Sequence, residues 1–384
     1  MRYFIFVLFL LIQLITNGCS NNKRSEPENE LDYLDLTIKC TASELKLSLV
    51  FDSILIIPLE TTEECLINRV NSVNFYDSLI IVADRGRGVM VFSEKGKYLY
   101  NIGEIGRGPE EYTSLNKCYV NNELGFAYVI DGANKKLLRY RANGEFLSDI
   151  SIPYHTGDFY VDSLEQLTLV SSFARVFIPG YFDILKLDSS ADTIFFLSNQ
   201  RLQTPGDILF ETLYIPNFSF KHKEHIYIKR VFQDTLAYID NNKLEPFLIL
   251  DSKEFTPDFD DLYNTASKTD YNKFIIINDL VMLNDWLVIN LNHQGSQYIY
   301  SYNTIDREVT KSYLHDEIFK EIPFPNRLQG LENDLSPEIG SPWINVSNDV
   351  YYSVLYPGKN EIPAFSKEED SAFLTENPII IQYK

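Results

Sequence analysis

The sequence predicts an all-β protein built from one repeated unit, and three observations predict it. The 384 residues include 26 Phe and 25 Tyr against 3 Met and 2 Trp, and Phe and Tyr favour pleated, half-buried surfaces. Two segments repeat each other 47 residues apart: LIIVADRGRGVMVFSEKGKYLYNIG, residues 79–103, and FAYVIDGANKKLLRYRANGEFLSDI, residues 126–150. Helical periodicity is weak throughout; its best stretch, residues 258–269, is short. Composition also limits function. The chain has 54 acidic and 34 basic residues, a net charge of −20, whereas coating a polyanion needs a basic stripe. Nucleic acid is therefore not an expected partner. Hydrophobic content of 45% is enough to offset the ordering entropy that keeps polar chains disordered.

At the N-terminus, Met1-Arg2 leads into an apolar run that ends near Ile15, short of the roughly 20 residues needed to span a bilayer. One positive charge, an apolar stretch and a small residue, Gly18, fit a secretory signal over residues 1–18. The stretch Ile15-Thr16-Asn17-Gly18-Cys19 resembles a bacterial lipobox, which implies a lipidated Cys19; Thr16 and Asn17 depart from the usual residues there. Ordinary signal cleavage beside a chance cysteine is the alternative. The polar stretch that follows reads as a tether over residues 19–35. Lipidation would leave Cys40, Cys65 and Cys118, an odd number with no CxxC pair, which supports neither a zinc site nor a redox pair. Cys118 lies in a strand-like stretch and reads as a buried apolar residue.

The body is expected over residues 36–384 as a single domain. Each clear repeat has a strand ending in Asp (Asp84, Asp131), a polar turn, an alternating strand, a Gly-centred hairpin and another strand. Multi-stranded units at a period of 40–50 residues point to propeller blades. Paired strands recur at 166–170 with 183–187, 225–229 with 236–239, 286–290 with 298–302, and 350–355 with 379–383, which makes six units. The Pro-bearing stretches 255–270 and 322–342 read as insertions. Radial closure hides strand edges, and pairing of residues 45–51 or 54–59 with 379–383 would close the ring. The reading is a six-bladed β-propeller, with a split into two domains as the alternative.

The stretches IPLETTEECLI (57–67), VADRGRGVMVFSEKGKYLYNIGEIGRGPEEY (82–112) and NPIIIQYK (377–384) resemble the six-bladed β-propeller lipoproteins of Bacteroidota, which are similar in blade layout to NHL-repeat propellers. The resemblance is specific over about residues 54–153 and at the C-terminus. It implies a lipoprotein of the cell envelope and no particular reaction; the expected location is the outer membrane, on its periplasmic or its surface face. NHL-type propellers include metal-dependent lyases and lactonases, but their channel ligands have no clear counterpart here. Recurrent Asp-Ser/Thr pairs, among them Asp77-Ser78 and Asp162-Ser163, resemble the O-glycosylation sequon of Bacteroidota envelope proteins; turns before strands read the same way.

Alternation of loops in antiparallel blades puts the turns after Asp84 and Asp131 and the loop 106–112 on one face. Arg85, Arg87, Arg107, Lys135 and Lys136 then ring one rim of an acidic protein. Guanidinium forks recognise carboxylate or phosphate. With Glu110 and a stacking Tyr112, this rim is the sequence's candidate site for an anionic or carbohydrate ligand. The competing structural reading gives Asp84 and Asp131 turn-capping roles, pairs Arg107 or Glu110 internally, and assigns Gly108 and Pro109 to loop geometry. His222-Lys223-Glu224-His225 reads as a turn rather than a metal motif, and His155, His293 and His315 stand alone. No nucleophile elbow or phosphate loop occurs in a suitable context. The sequence thus names no catalytic residue, metal or cofactor. It favours a binding or interaction module, with a glycan, a peptide or an envelope protein as partner. A lyase or glycan hydrolase using channel carboxylates, and a scaffold subunit of an uptake complex, remain as alternatives.

Overall fold

A computed structural model describes residues 31–38, 50–153, 156–171, 182–198, 217–230, 233–256, 273–313, 345–347, 349–355 and 377–384. These residues form six small antiparallel sheets, the blades of a six-bladed β-propeller. Blade 1 holds β3 (Val70–Tyr76), β4 (Leu79–Asp84), β5 (Gly88–Ser93) and β6 (Tyr98–Ile102). Blade 2 holds β7 (Leu115–Asn121), β8 (Phe126–Asp131), β9 (Lys136–Arg141) and β10 (Phe146–Ser151). Blade 3 follows with β11 (Thr156–Val161), β12 (Leu167–Ser171), β13 (Phe182–Leu187) and β14 (Thr193–Ser198). Blade 4 contains β15 (Phe218–His222), β16 (His225–Lys229), β17 (Thr235–Asp240) and β18 (Lys243–Asp251). Blade 5 contains β19 (Ile276–Leu283), β20 (Trp286–His293), β21 (Ser296–Asn303) and β22 (Val309–Tyr313). Blade 6 combines β23 (Asn345–Ser347), β24 (Val350–Leu355) and β25 (Ile379–Tyr383) with β2 (Ile54–Pro58) from the other end of the chain.

The strands form where apolar residues alternate or run continuously between turn residues. In blades 1, 4 and 5 the first hairpin is a two-residue turn whose leading residue, Asp77, Lys223 or Asn284, has φ near +50°. That left-handed geometry matches the twist of the flanking strands. His222 and His225 bracket one of these turns, as their spacing suggested. Gly96 in blade 1 also has positive φ, and a Cβ there would meet the Pro58 carbonyl oxygen at 2.0 Å. The hairpin can lie against β2 only because it carries glycine.

Hydrophobic packing lies between blades. One cluster joins Ile81, Val91 and Ile102 of blade 1 to Val120, Val129 and Leu138 of blade 2. Another joins Val73, Val82 and Phe92 of blade 1 to Tyr352 and Ile380 of blade 6. Much of the aromatic excess sits in such seams, as with Phe75 against Tyr352 and Tyr119 against Phe159. Cys65 and Cys118 are buried free thiols.

Two features differ from the sequence reading. Asp32–Asp35 forms β1, a fifth strand on the outer edge of blade 4 beside β18, where a tether was expected. Leu34 and Leu36 are buried in the seam of blades 4 and 5, and the Tyr33 hydroxyl donates to Asp251 at 2.6 Å. Their burial holds this stretch against the body, and the compact unit begins at Tyr33. Residues 253–255 form a single 3-10 turn. The lipobox with Cys19, Cys40, His155, His315, the helical stretch 258–269 and nearly all of both insertions lie outside the described residues.

In blade 6, β2 pairs antiparallel with β25 from Ile54↔Tyr383 to Pro58↔Ile379. Asn377, fully buried, clamps this junction. Its Oδ1 accepts from the Ile67 N–H at 2.7 Å, and its Nδ2 donates to the carbonyls of Glu60 (2.7 Å) and Cys65 (2.8 Å). Losing the amide strands the buried Ile67 N–H and Cys65 carbonyl, at roughly 1–3 kcal/mol each, and the half-buried Glu60 carbonyl besides. Asn377→Ala is therefore expected to lower the thermal unfolding midpoint by several degrees. A midpoint unchanged within error would show that the clamp is dispensable.

Candidate functional site

The first strand of each blade faces the axis, so β3, β7, β11, β15, β19 and β23 together line a central cavity of about 180 Å³. Side chains tie these strands to one another. Ser72 Oγ donates to the Cys118 carbonyl at 3.0 Å, and Asn74 Nδ2 donates to the same oxygen at 2.9 Å. Asn121 Nδ2 donates to the Val161 carbonyl at 2.8 Å. Blades 3 and 4 share the ion pair of Arg230 with the buried Asp183 at 3.3 Å.

Four inner strands shift register near their entry. The shift falls between Val70 and Ser72, Leu115 and Lys117, Thr156 and Asp158, and Ile277 and Asp279. The extra residue is Asn71, Asn116, Gly157 or Asn278. Such bulges re-aim the next side chain. Three of the four residues after the shift are charged, and Lys117, Asp158 and Asp279 all line the cavity.

Lys117 Nζ lies 2.5 Å from Asp158 Oδ1 across the seam of blades 2 and 3. The Phe159 N–H also donates to Oδ1, at 2.9 Å. The Tyr160 hydroxyl donates to Ser219 Oγ at 3.1 Å, and Ser219 donates to Asp158 Oδ2 at 3.2 Å. Burial, with Asp158 beside it, pushes the Tyr160 hydroxyl well above the usual tyrosine value and keeps it a donor. Asp158 is thereby filled with hydrogen bonds, while two N–H groups of Lys117 remain for the cavity.

Asp279 belongs to blade 5, three blades on from Lys117. Its Oδ1 accepts from the Leu280 N–H at 2.8 Å, and among the described residues it makes no ion pair. Burial pushes its carboxyl up to about 6, against smaller opposing effects of the Leu280 N–H and the Lys117 charge. Some of its surface still opens to the channel. A carboxyl shifted this way is ionised at a cost to stability, and strongly perturbed groups in clefts mark functional sites. Lys221 and Asp349 line the same cavity toward its other end. Among the described residues, no group of three or more His, Cys, Asp or Glu side chains is placed to hold a metal ion.

The turns after Asp84 and Asp131, which carry rim residues of the sequence reading, lie at the end of the disc where β3 and β7 enter, beside Val70 and Leu115. Arg85, Arg87, Arg107 and Glu110 are exposed, and among the described residues none of the three arginines makes an ion pair. Asp84, fully buried, accepts from the N–H groups of Asn68 and Arg69 (both 2.6 Å) and Gly86 (2.7 Å). Asp131 accepts from Thr113 (2.8 Å) and Ala133 (3.1 Å). Burial alone would raise the Asp131 carboxyl, but the Thr113 and Asn134 donors outweigh it and hold it low. Each aspartate thus ties the entry of its blade's inner strand to the turn after the second strand.

Tyr112 corrects the stacking expectation: it is fully buried and offers no ring face to a ligand. Its hydroxyl donates to the Ile102 carbonyl at 3.0 Å and accepts from the Val89 N–H at 2.9 Å. Gly103 permits this, since a Cβ there would meet Tyr112 at 2.9 Å. At Gly108 the N–H donates to Glu111 at 2.7 Å, shaping the loop around the exposed Pro109.

The fold and the axial site define a six-bladed propeller with a polar channel whose charged residues come from separate blades. Residues 33–384 match the family described as "Domain of unknown function (DUF4934)", and the chain belongs to that family. Among curated proteins nothing matches it. The crystal structure of a Bacteroides fragilis NCTC 9343 protein classed as exported superposes with a TM-score of 0.65 at 16% identity, covering 92% of this chain and 98% of that one. A member of the DUF4221 family from Bacteroides vulgatus ATCC 8482 superposes at 0.52 with 9% identity, covering 87% and 96%. At these identities the likeness concerns the fold alone.

The channel carboxylate yields a pH prediction. Asp279 has a folded-state value raised above its unfolded one. Stability therefore falls as pH rises from about 4 to about 6 and stays penalised above. Asp279→Asn is expected to unfold at higher denaturant than the parent at pH 8, by about 2 kcal/mol, the gap closing as pH falls toward 4. A gap independent of pH would mean that the carboxyl is not perturbed.

Proposed function

We propose that the protein is an exported, lipid-anchored binding module of the cell envelope, with its ligand seated in the axial channel at the end of the disc that carries the arginine loops. The observation that carries this reading is Asp279, a channel-facing carboxylate kept ionised at a cost and given no ionic partner among the described residues. Scaffold residues rarely keep such a group, whereas binding sites do. The exported Bacteroides relative supports the envelope assignment, as does the leader-like N-terminus ending at Cys19. The outer membrane is the proposed anchoring site. The ligand classes are a carbohydrate or an anion, with Arg85, Arg87 and Arg107 adding long-range attraction for the latter.

Two measurements test this reading. Ligands found for the full chain on glycan and peptide arrays should be lost when Ser219→Trp fills the channel, with cooperative unfolding retained. Ligands that bind the filled channel equally well would remove it as the site. Cys19→Ser should move the protein from the membrane fraction to the soluble one, and persistence in the membrane fraction would refute lipid anchoring.

A further inference from the structure

We propose that the channel mouth holds an uncharged polyhydroxy group, one sugar residue of a glycan, with Asp279 accepting from its hydroxyls and Lys117 donating to them. This rests on the channel being the binding site and adds the ligand's chemical class. The wall holds spare hydrogen-bonding capacity. Asp158 lines the cavity with its two oxygens already engaged by Lys117, Phe159 and Ser219, so it positions Lys117 and has little acceptor capacity to spare. Lys117 spends one of its three N–H groups on that bond, and the other two are donors. Asp279 spends one oxygen on the Leu280 N–H, and the other is an acceptor. The site thus offers donors from one blade and an acceptor from another. Hydroxyls are the groups that meet both, since each donates once and accepts twice.

The charges of the site point the same way. Lys117 and Asp158 form a neutral unit, so the donors they present carry little net field. An anionic group reaching Lys117 would also meet Asp158 and Asp279. An ammonium drawn to Asp279 would share the cavity with Lys117. The wall also carries the amides of Asn71 and Asn345 and the hydroxyl of Ser347 among apolar side chains such as Val73 and Phe220, with Lys221 and Asp349 toward the other end. Neutral ligands avoid both conflicts, and the cavity of about 180 Å³ suits a single ring unit at the end of a longer chain.

The test uses the full chain and five probes: the methyl glycosides of glucose, galactose and mannose, glucuronate as an anion, and glucosamine as a cation. Binding is read by calorimetry or ligand-observed NMR. At least one neutral glycoside is expected to bind more tightly than both charged probes. Asp279→Leu should weaken that binding about tenfold or more, as removal of a charged acceptor does. Asp279→Asn keeps an acceptor oxygen and should retain binding within a few-fold, and both variants should unfold cooperatively. Preferential binding of glucuronate or glucosamine, lost in Asp279→Leu, would overturn the ligand class while leaving the channel as the site. Binding of any probe that Asp279→Leu and Ser219→Trp both leave unchanged would overturn the channel itself. No binding by any of the five probes would also overturn the proposal.

Discussion

Everything in this molecule depends on hiding the edges and faces of six small sheets. A four-stranded sheet alone exposes two edges and two faces to water, and its unpaired edges invite pairing with other chains. Arranging six around an axis buries the faces against one another, and the clusters that join blade to blade are the result. The pairing of β2 with β25 joins both ends of the chain in one blade, and Asn377 holds three backbone groups of the adjoining turn. The same arrangement brings six inner strands together. Their side chains must satisfy one another or face the channel.

The bulges convert that constraint into a site. Without a register shift, Lys117, Asp158 and Asp279 would follow the simple alternation of their strands. With it, each is re-aimed at the strand entry, at the end of the disc that also carries the arginine loops. Lys117 and Asp158 satisfy each other across a blade seam, while Asp279 is left partly buried, its charge only partly offset by the Leu280 N–H and Lys117. A propeller could fill this position with an apolar residue and gain stability. That it does not is the strongest physical argument for a ligand.

The fold was largely legible because its signals are local. The Asp84 and Asp131 repeat, the Gly-centred hairpins and the alternating strands each occupy a few adjacent residues. The same two aspartates make equivalent hydrogen bonds in blades 1 and 2. The channel was not legible, because its charged residues are separated by 41 residues in one case and by three blades, half of the ring, in another. The sequence marks the exposed arginines more clearly than the channel residues, because a run of positive charge in an acidic chain is local. Tyr112 misled for a related reason: aromatic character is visible in sequence, but burial depends on Gly103 and on loop wrapping. A local signal for the channel did exist. Asn116-Lys117, Gly157-Asp158 and Asn278-Asp279 each place a small or amide residue before a charge at the start of an otherwise apolar strand. Aligning the inner strands by that pattern would have found all three.

The axial site depends on the state of one carboxyl. Direct titration of Asp279 by carbon-detected NMR, assigned against the Asp279→Asn variant, measures it without reference to stability or ligand. The account predicts a midpoint near pH 6 in the free protein, reflecting burial only partly offset by Leu280 and Lys117. A midpoint in the ordinary aspartate range, about pH 4, would contradict it. It would mean that the channel treats Asp279 as a solvated surface group, and the case for an axial site would fall with it.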